Sequence, residues 1–172
     1  MTKIQGVDKS LNATHKNQRF VIFTLGSEAF ALPLVKIREV IALTGITSIP
    51  NIPLHFKGFM NLKGKIISVI DLRLKFGIKG VSATGETAII IVDLEHLCMG
   101  VIVDSVESVL SIAANNMSLP PQIESAINTD YITGVARLDK RLLLILNIEK
   151  ALSVEYLLAI KSSESTQKAT RN

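Results

Sequence analysis

The stretch "GFMNLKGKIISVIDL", Gly58 to Leu72, decides how the chain is read. Its Gly64-Lys65 pair invites comparison with a phosphate-cradling loop. That loop requires GxxxxGK followed by Ser or Thr, because the hydroxyl must reach the magnesium while the lysine reaches the phosphates. Here five residues separate Gly58 from Gly64, and Ile66 stands where the hydroxyl is needed. Gly64 leads into "KIISVIDL", a run of β-formers rather than the start of a helix. Gly64 is therefore read as the turn of a hairpin, where a positive φ carries no Cβ clash, joining strands "GFMNL" and "KIISVIDL".

The same pattern recurs. "GFMNLKGKIISVIDLRLKF" aligns without a gap on "GVARLDKRLLLILNIEKAL", which begins at Gly134, at a shift of 76 positions. Gly58 faces Gly134, Leu62 faces Leu138 and Lys65 faces Arg141. Asp71 faces Asn147, each placed to cap a helix. A fainter match at a shift of 69 sets "FALPLVKIREVI" on "MGVIVDSVESVL", pairing Ile37 with Val106 and Val40 with Val109. The chain is expected to hold two copies of one unit, each of short strands closed by a helix. In the first, "RFVIFTL" and "EAFALPL" form a hairpin around Gly26 and Ser27. "VKIREVI" is a short helix or strand, and "GITSI" is a strand. In the second, "TAIIIVDL" and "HLCMGVIVDSV" pair around Glu95. From Glu149 to Ile160 a helix puts Leu152, Tyr156 and Ile160 on one stripe. Many short strands at this spacing predict two small barrels, since closure removes unpaired edges.

The composition fits that architecture. Of 172 residues, 48% are apolar, enough to bury a core, and with only 5% aromatic the packing must be aliphatic. The lone Cys98 sits in "HLCMGVIV" and reads as a small buried hydrophobe; no intramolecular disulfide is possible. "MTKIQGVDKSLNATHKNQ" lacks an apolar signal region, and no run reaches the ~20 apolar residues of a membrane span. A soluble cytoplasmic protein is expected. The net charge of +4 is contributed by polar tails, residues 1–18 and 161–172, expected to be flexible. Between them residues 19–85 sum to +6 and residues 86–160 to −6, an asymmetry that would guide encounter with partners.

Catalytic chemistry finds no foothold. His15, His55 and His96 have no second ligand at metal spacing, and there is no nucleophile elbow, HExxH, CxxC or dinucleotide glycine pattern. Asp93, Glu95 and Asp104 read as solvated acids flanking strands. Neither a cofactor nor a metal is expected. A small barrel could bind single-stranded nucleic acid through Lys57, Lys63, Lys65, Arg73 and Lys75 beside Phe56 and Phe59, but these rings read as packing residues.

Taken together, "FTLGSEAFALPLVKIREVI", "FKGFMNLKGKIISVIDLRLKFGI", "GVIVDSVESVL" and "YITGVARLDKRLLLILNIEK" resemble the CheW family of bacterial chemotaxis coupling proteins, from about residue 19 to residue 160. The resemblance implies a mainly β fold of two five-stranded SH3-like barrels related by internal duplication, with short helices and a C-terminal helix. The expected division is subdomain 1 over about 19–85, subdomain 2 over about 86–148 and the helix over about 149–160. It implies a non-enzymatic scaffold recruited to membrane receptor arrays, without itself entering the bilayer. Its partners would be the cytoplasmic tip of methyl-accepting chemoreceptors and the regulatory domain of the histidine kinase CheA, with further CheW copies in array rings. The family's partner-binding surface maps onto Ile37, Glu39, Gly58, Asn61 and Lys63, and the internal symmetry adds Val106 and Val109, which read equally well as core valines. The family pattern is "NLRG"; Lys63 keeps the charge but not the planar fork of arginine. Two alternatives stay open: an adaptor of another chemosensory array, such as one for twitching motility, and a small-barrel binder of nucleic acid or nucleotide.

Overall fold

The structure is a computed structural model, and it describes residues 18–78, 82–120, 130–158 and 161. The flexible tails expected from the sequence lie outside the described residues, apart from residues 18 and 161. Eleven strands are described: β1 (Arg19–Leu25), β2 (Glu28–Pro33), β3 (Ile37–Ala42), β4 (Phe56–Leu62), β5 (Lys65–Asp71), β6 (Ala88–Asp93), β7 (Cys98–Val103), β8 (Ser105–Ser111), β9 (Met117–Ser118), β10 (Ile132–Leu138) and β11 (Arg141–Leu146). Two short helices, α1 (Leu72–Lys75) and α2 (Ile148–Ala151), come directly after β5 and β11. Asp71 caps the first by accepting from the backbone N–H groups of Arg73 and Leu74, and Asn147 caps the second by accepting from that of Lys150.

The strands form two sheets, ordered β3-β6-β7-β5-β4 and β8-β1-β2-β11-β10-β9. Each closes on itself in the same way. Beyond β3 the chain crosses to the far edge, where Thr47 and Phe59 exchange backbone hydrogen bonds of 2.8 and 3.0 Å. Beyond β8 it does likewise, and β9 pairs with β10. The closing segment is one bridge in the first barrel and a two-residue strand in the second, so "GITSI" is not the strand expected. Its pairing stops at Thr47, where Gly45 and Pro50 flank a run too short for a ladder.

The barrels do not coincide with the two halves of the sequence. The division into 19–85 and 86–148 is corrected by the sheet order, because β1 and β2 join the strands of the second half while β6 and β7 join those of the first. The units exchange their opening hairpins. Both exchanges are made through parallel pairs, β5 with β7 and β11 with β2. The duplication is otherwise kept closely. Val69 lies opposite Gly100 and Ile145 opposite Ala31, which are equivalent under the 76 and 69 shifts. Irregularities also recur in register, at Phe56/Gly58 and Ile132/Gly134, and at Ile37/Glu39 of β3 against Ile22/Phe23, whose partners on β8 are Ser108 and Val106.

Burial explains the exchange. In β6 five consecutive residues, Ala88 to Val92, are buried, so both faces of the strand are covered. One face looks into its own barrel, where Ile89 and Ile91 pack with Met60, Ile67, Val69 and Ile102. The other looks into a central core shared by both barrels, where Ile90 and Val92 join Phe23, Phe30, Met99 and Leu146. Each wholly buried Ile or Leu contributes ~1.5–3 kcal/mol, so a hairpin standing between two cores ties them into one body. Aromatic contacts cross that centre: Phe23 stacks on Phe30, Phe30 leans on Phe76, and Phe76 stacks on Tyr131 with ring centroids 4.5 Å apart. α2 and the helical residues 153–158 correspond to the expected C-terminal helix, with Leu152 buried; Ile160 lies outside the described residues.

Candidate partner-binding surface

The hairpin tip between β4 and β5 is a two-residue turn, with Leu62 opposite Lys65. Lys63 and Gly64 both adopt positive φ, 51° and 88°. Asn61 explains how a lysine is held there: its side-chain Oδ1 accepts the Gly64 N–H at 2.9 Å, closing the turn locally. Asn61 is thus exposed but structurally engaged. Lys63, with a side chain 80% exposed, reaches across the barrel seam to Glu39 on β3, Nζ to Oε2 at 3.3 Å. Two residues assigned to the surface by resemblance are therefore each other's partner. Glu39 is only half-buried, and the lysine offers two further donors to a carboxylate outside.

Gly58 has a different place. It is buried, its φ is +130°, and a Cβ built on it would lie 1.9 Å from the carbonyl oxygen of Thr47. Its role is to let β4 approach the closing segment, and the partner contact assigned to it can only be indirect. Ile37 and Val106 occupy equivalent places, half-buried against the central core. Val109 is 43% exposed and its equivalent Val40 42% exposed, so the two barrels present matching aliphatic positions. Ile66 and Leu142, also equivalent, are exposed beside the two hairpin tips. Val40, Ile66 and Leu142 are not among the residues the resemblance assigns; the shift of 69 leads from Val109 to Val40, whereas Ile66 and Leu142, related by the shift of 76, stand out only by their exposure.

The second barrel carries its own pair at the seam, Arg141 with Glu107, Nη1 to Oε1 at 3.2 Å. The guanidinium holds the Glu107 carboxyl below its usual range. A depressed carboxyl contributes stability above its unfolded pKa, near 4.5, and loses it as the pH falls through the folded value. Arg141→Ala is expected to flatten the acid limb of stability, read as a smaller shift in urea midpoint between about pH 6 and pH 3 than the parent protein shows.

A groove of about 650 Å³ lies where the first barrel meets the C-terminal helical segment, lined by the apolar Val35, Leu94, Tyr156 and Leu157 and by Asp93, Glu95 and the ion-paired Lys36 and Glu149. Val35 is 84% exposed and Leu157 59% exposed. Neither the groove nor its walls could be read from periodicity, since it joins residues more than a hundred positions apart. Cys98, expected to be a buried hydrophobe, is half-buried and hydrogen-bonded. Its Sγ lies 2.8 Å from Asp93 Oδ1 and 3.0 Å from Arg38 Nη1. Burial and the bond to Asp93 push the thiol pKa up, against a smaller downward pull from Arg38. His55 and His96 face different carboxylates, Glu155 and Glu95. Among the described residues no cluster of His, Cys, Asp and Glu could hold a metal ion, and no helix is long and apolar enough to cross a membrane. Phe56 and Phe59 pack edge to face on one another.

Exchange of the hairpins also halves the charge contrast. The segment that builds the first barrel, residues 34–103, holds eight basic and five acidic side chains; residues 19–33 and 104–160 together hold five and eight. The contrast of +6 against −6 between sequence halves becomes +3 against −3 between these segments, with Lys79 and Glu124 lying outside the described residues. Local pairs such as Lys63 with Glu39 are therefore better candidates for selectivity than the overall dipole.

Comparison with known proteins bears directly on this architecture. The family model described as CheW-like domain matches residues 19–155. The chemotaxis protein CheW of Klebsiella aerogenes is 38% identical over 138 residues, covering 80% of this chain and 83% of that protein. The probable chemotaxis protein CheW of Rhizobium etli is 27% identical, covering 84% and 92%. Among solved structures, the scaffolding protein TtCheW of Thermoanaerobacter tengcongensis superposes with a TM-score of 0.71 at 35% identity, covering 76% of this chain and 89% of that one. With its two SH3-like barrels and a family match that spans nearly all its described residues, the chain belongs to the CheW family of chemotaxis scaffold proteins.

Proposed function

We propose that this protein is a non-catalytic adaptor that couples methyl-accepting chemoreceptors to the histidine kinase CheA, working in the cytoplasm at membrane receptor arrays. The observation that carries the reading is the presence of two surfaces with no residue in common. One is the concave groove walled by Val35, Leu94, Tyr156 and Leu157. The other is the charged hairpin tip with Lys63 and Glu39. An apolar groove bordered by Asp93, Glu95 and the Lys36–Glu149 ion pair suits an amphipathic helix, the form of a receptor tip. A convex hairpin beside exposed Val40 and Ile66 suits a barrel of the same fold, the form of the kinase regulatory domain. Separate surfaces allow both to be held at once, which is what coupling requires.

The test is assembly from purified receptor cytoplasmic fragment and kinase regulatory domain, singly and together. A ternary complex is expected; two binary complexes that exclude each other would overturn the reading. Lys63→Glu sets like charges at the seam and is expected to weaken binding of the kinase domain at least about tenfold. The exposed turn should keep folding stability within about 1 kcal/mol of the parent. Parental affinity in both titrations would remove Lys63 from the surface.

A further inference from the structure

We propose that Glu155, held between Lys75 and His55, is an orientation latch that keeps the apolar face of the C-terminal helical segment turned outward. The inference rests on the groove being a docking site and adds how its movable wall is set.

Residues 153–158 are helical, and their polarity is inverted. Val154, Leu157 and Leu158 are 60, 59 and 53% exposed, whereas Glu155 is 2% exposed. At spacings of three and four, the three aliphatics form one stripe. A helix free to roll about its axis would bury that stripe and hydrate the glutamate. What opposes the roll is found on the inward side. Glu155 Oε1 is bonded by Lys75 Nζ, which comes from the end of α1, and lies 3.0 Å from His55 Nε2, which precedes β4. Both partners belong to the first barrel, and both are only partly exposed, 21% and 29% at their side chains.

The arrangement is poor as a source of stability. Glu155 Oε2 is buried and has no hydrogen-bond partner among the described residues. Desolvating a carboxylate and an ammonium costs several kcal/mol each, and a half-satisfied pair does not recover it well. A well-packed leucine would hold the segment at least as firmly. The pair instead distinguishes one orientation from its alternatives, because a roll breaks both contacts at once and leaves the largely shielded Lys75 ammonium, 21% exposed at its side chain, without this carboxylate. The outward stripe runs into the groove through Leu157, next to Tyr156 and across from Val35. The latch thus fixes a wall of the groove before an amphipathic receptor helix arrives, and lowers the ordering cost of docking.

The protein has no tryptophan, so Val154→Trp supplies a single reporter on the stripe. In the otherwise unchanged chain the indole should be readily quenched by acrylamide. Adding Glu155→Ala, or Lys75→Glu, is expected to reduce the quenching constant at least about twofold as the stripe turns inward, and to speed exchange of the Tyr156 amide, which now donates to the Leu152 carbonyl. The exchanged pair, Lys75→Glu with Glu155→Lys, should restore both readings, which a packing role would not predict. Equal quenching in all four proteins overturns the latch, as does failure of the exchanged pair to recover when circular dichroism shows it folded. Binding of a receptor helical fragment is measured on the same proteins. If the single substitutions move the indole while the parent chain binds no fragment, the latch stands and the docking reading falls.

Discussion

Gly58→Ala is expected to lower the unfolding free energy by at least about 4 kcal/mol, whereas Gly134→Ala at the equivalent position should cost no more than about 1 kcal/mol. Both glycines sit at the recurring irregularity of the barrel, where the closing segment meets the hairpin. Only one is constrained. At Gly58 the backbone has φ +130°, and an added Cβ would stand 1.9 Å from the Thr47 oxygen and 2.8 Å from its carbonyl carbon. Neither atom can move without giving up the two hydrogen bonds that close the barrel. At Gly134 a Cβ would lie 3.3 Å from the Ser118 oxygen, a contact relieved by a few tenths of an ångström, and the φ is not positive. Urea unfolding monitored by circular dichroism measures both. A Gly58→Ala protein within about 1 kcal/mol of the parent would show that the seam at Thr47 is looser than its geometry.

That inequality bears on what the sequence could reveal. The hairpin from Gly58 to Leu72 is legible because alternation, turn chemistry and a capping aspartate agree over fifteen residues, and its twin repeats them. Gly58 itself is legible only as a motif residue, since nothing local says that the carbonyl of Thr47 will lie against it. The hairpin exchange does leave a signal. "AIIIV" in β6 and "AFAL" in β2 are apolar without alternation, the mark of strands covered on both faces, and hence of strands standing between two cores. Periodicity identifies such strands but not their partners, because parallel pairing joins segments far apart in sequence. Glu155 is legible in part. It lies three residues after Leu152 and one before Tyr156, inside the stripe assigned inward, so helical geometry places an acid in the core. Lys75 and His55 as its partners, like Glu39 for Lys63, require the fold.

The duplication also sets up a second unequal pair, at the junction of the two barrels. Arg73 on α1 is equivalent to Glu149 on α2, and both make ion pairs, of opposite polarity and different burial. Arg73 is 8% exposed. Its Nε and Nη2 bond the two oxygens of Asp71 at 3.1 and 2.9 Å, and its Nη1 bonds Asp104 Oδ1 at 2.9 Å. Asp104 in turn accepts the Gly26 N–H through Oδ2, at 2.6 Å, and donates its own N–H to Thr24. One guanidinium therefore fastens α1 of the first barrel to the β1–β2 turn of the second. The bond to Asp71, with that to Asp104, raises its pKa further, so it carries charge at every accessible pH. Arg73→Met should cost about 3–5 kcal/mol, because Asp71 and Asp104 are left charged in a low-dielectric junction. Glu149→Gln, which loosens the half-exposed contact with Lys36, should cost less than about 1 kcal/mol. Asp104→Asn added to Arg73→Met should recover part of the loss, since the amide can still accept from Gly26 without a stranded charge. Additive costs for those two substitutions would mean that Arg73 and Asp104 do not act as one network.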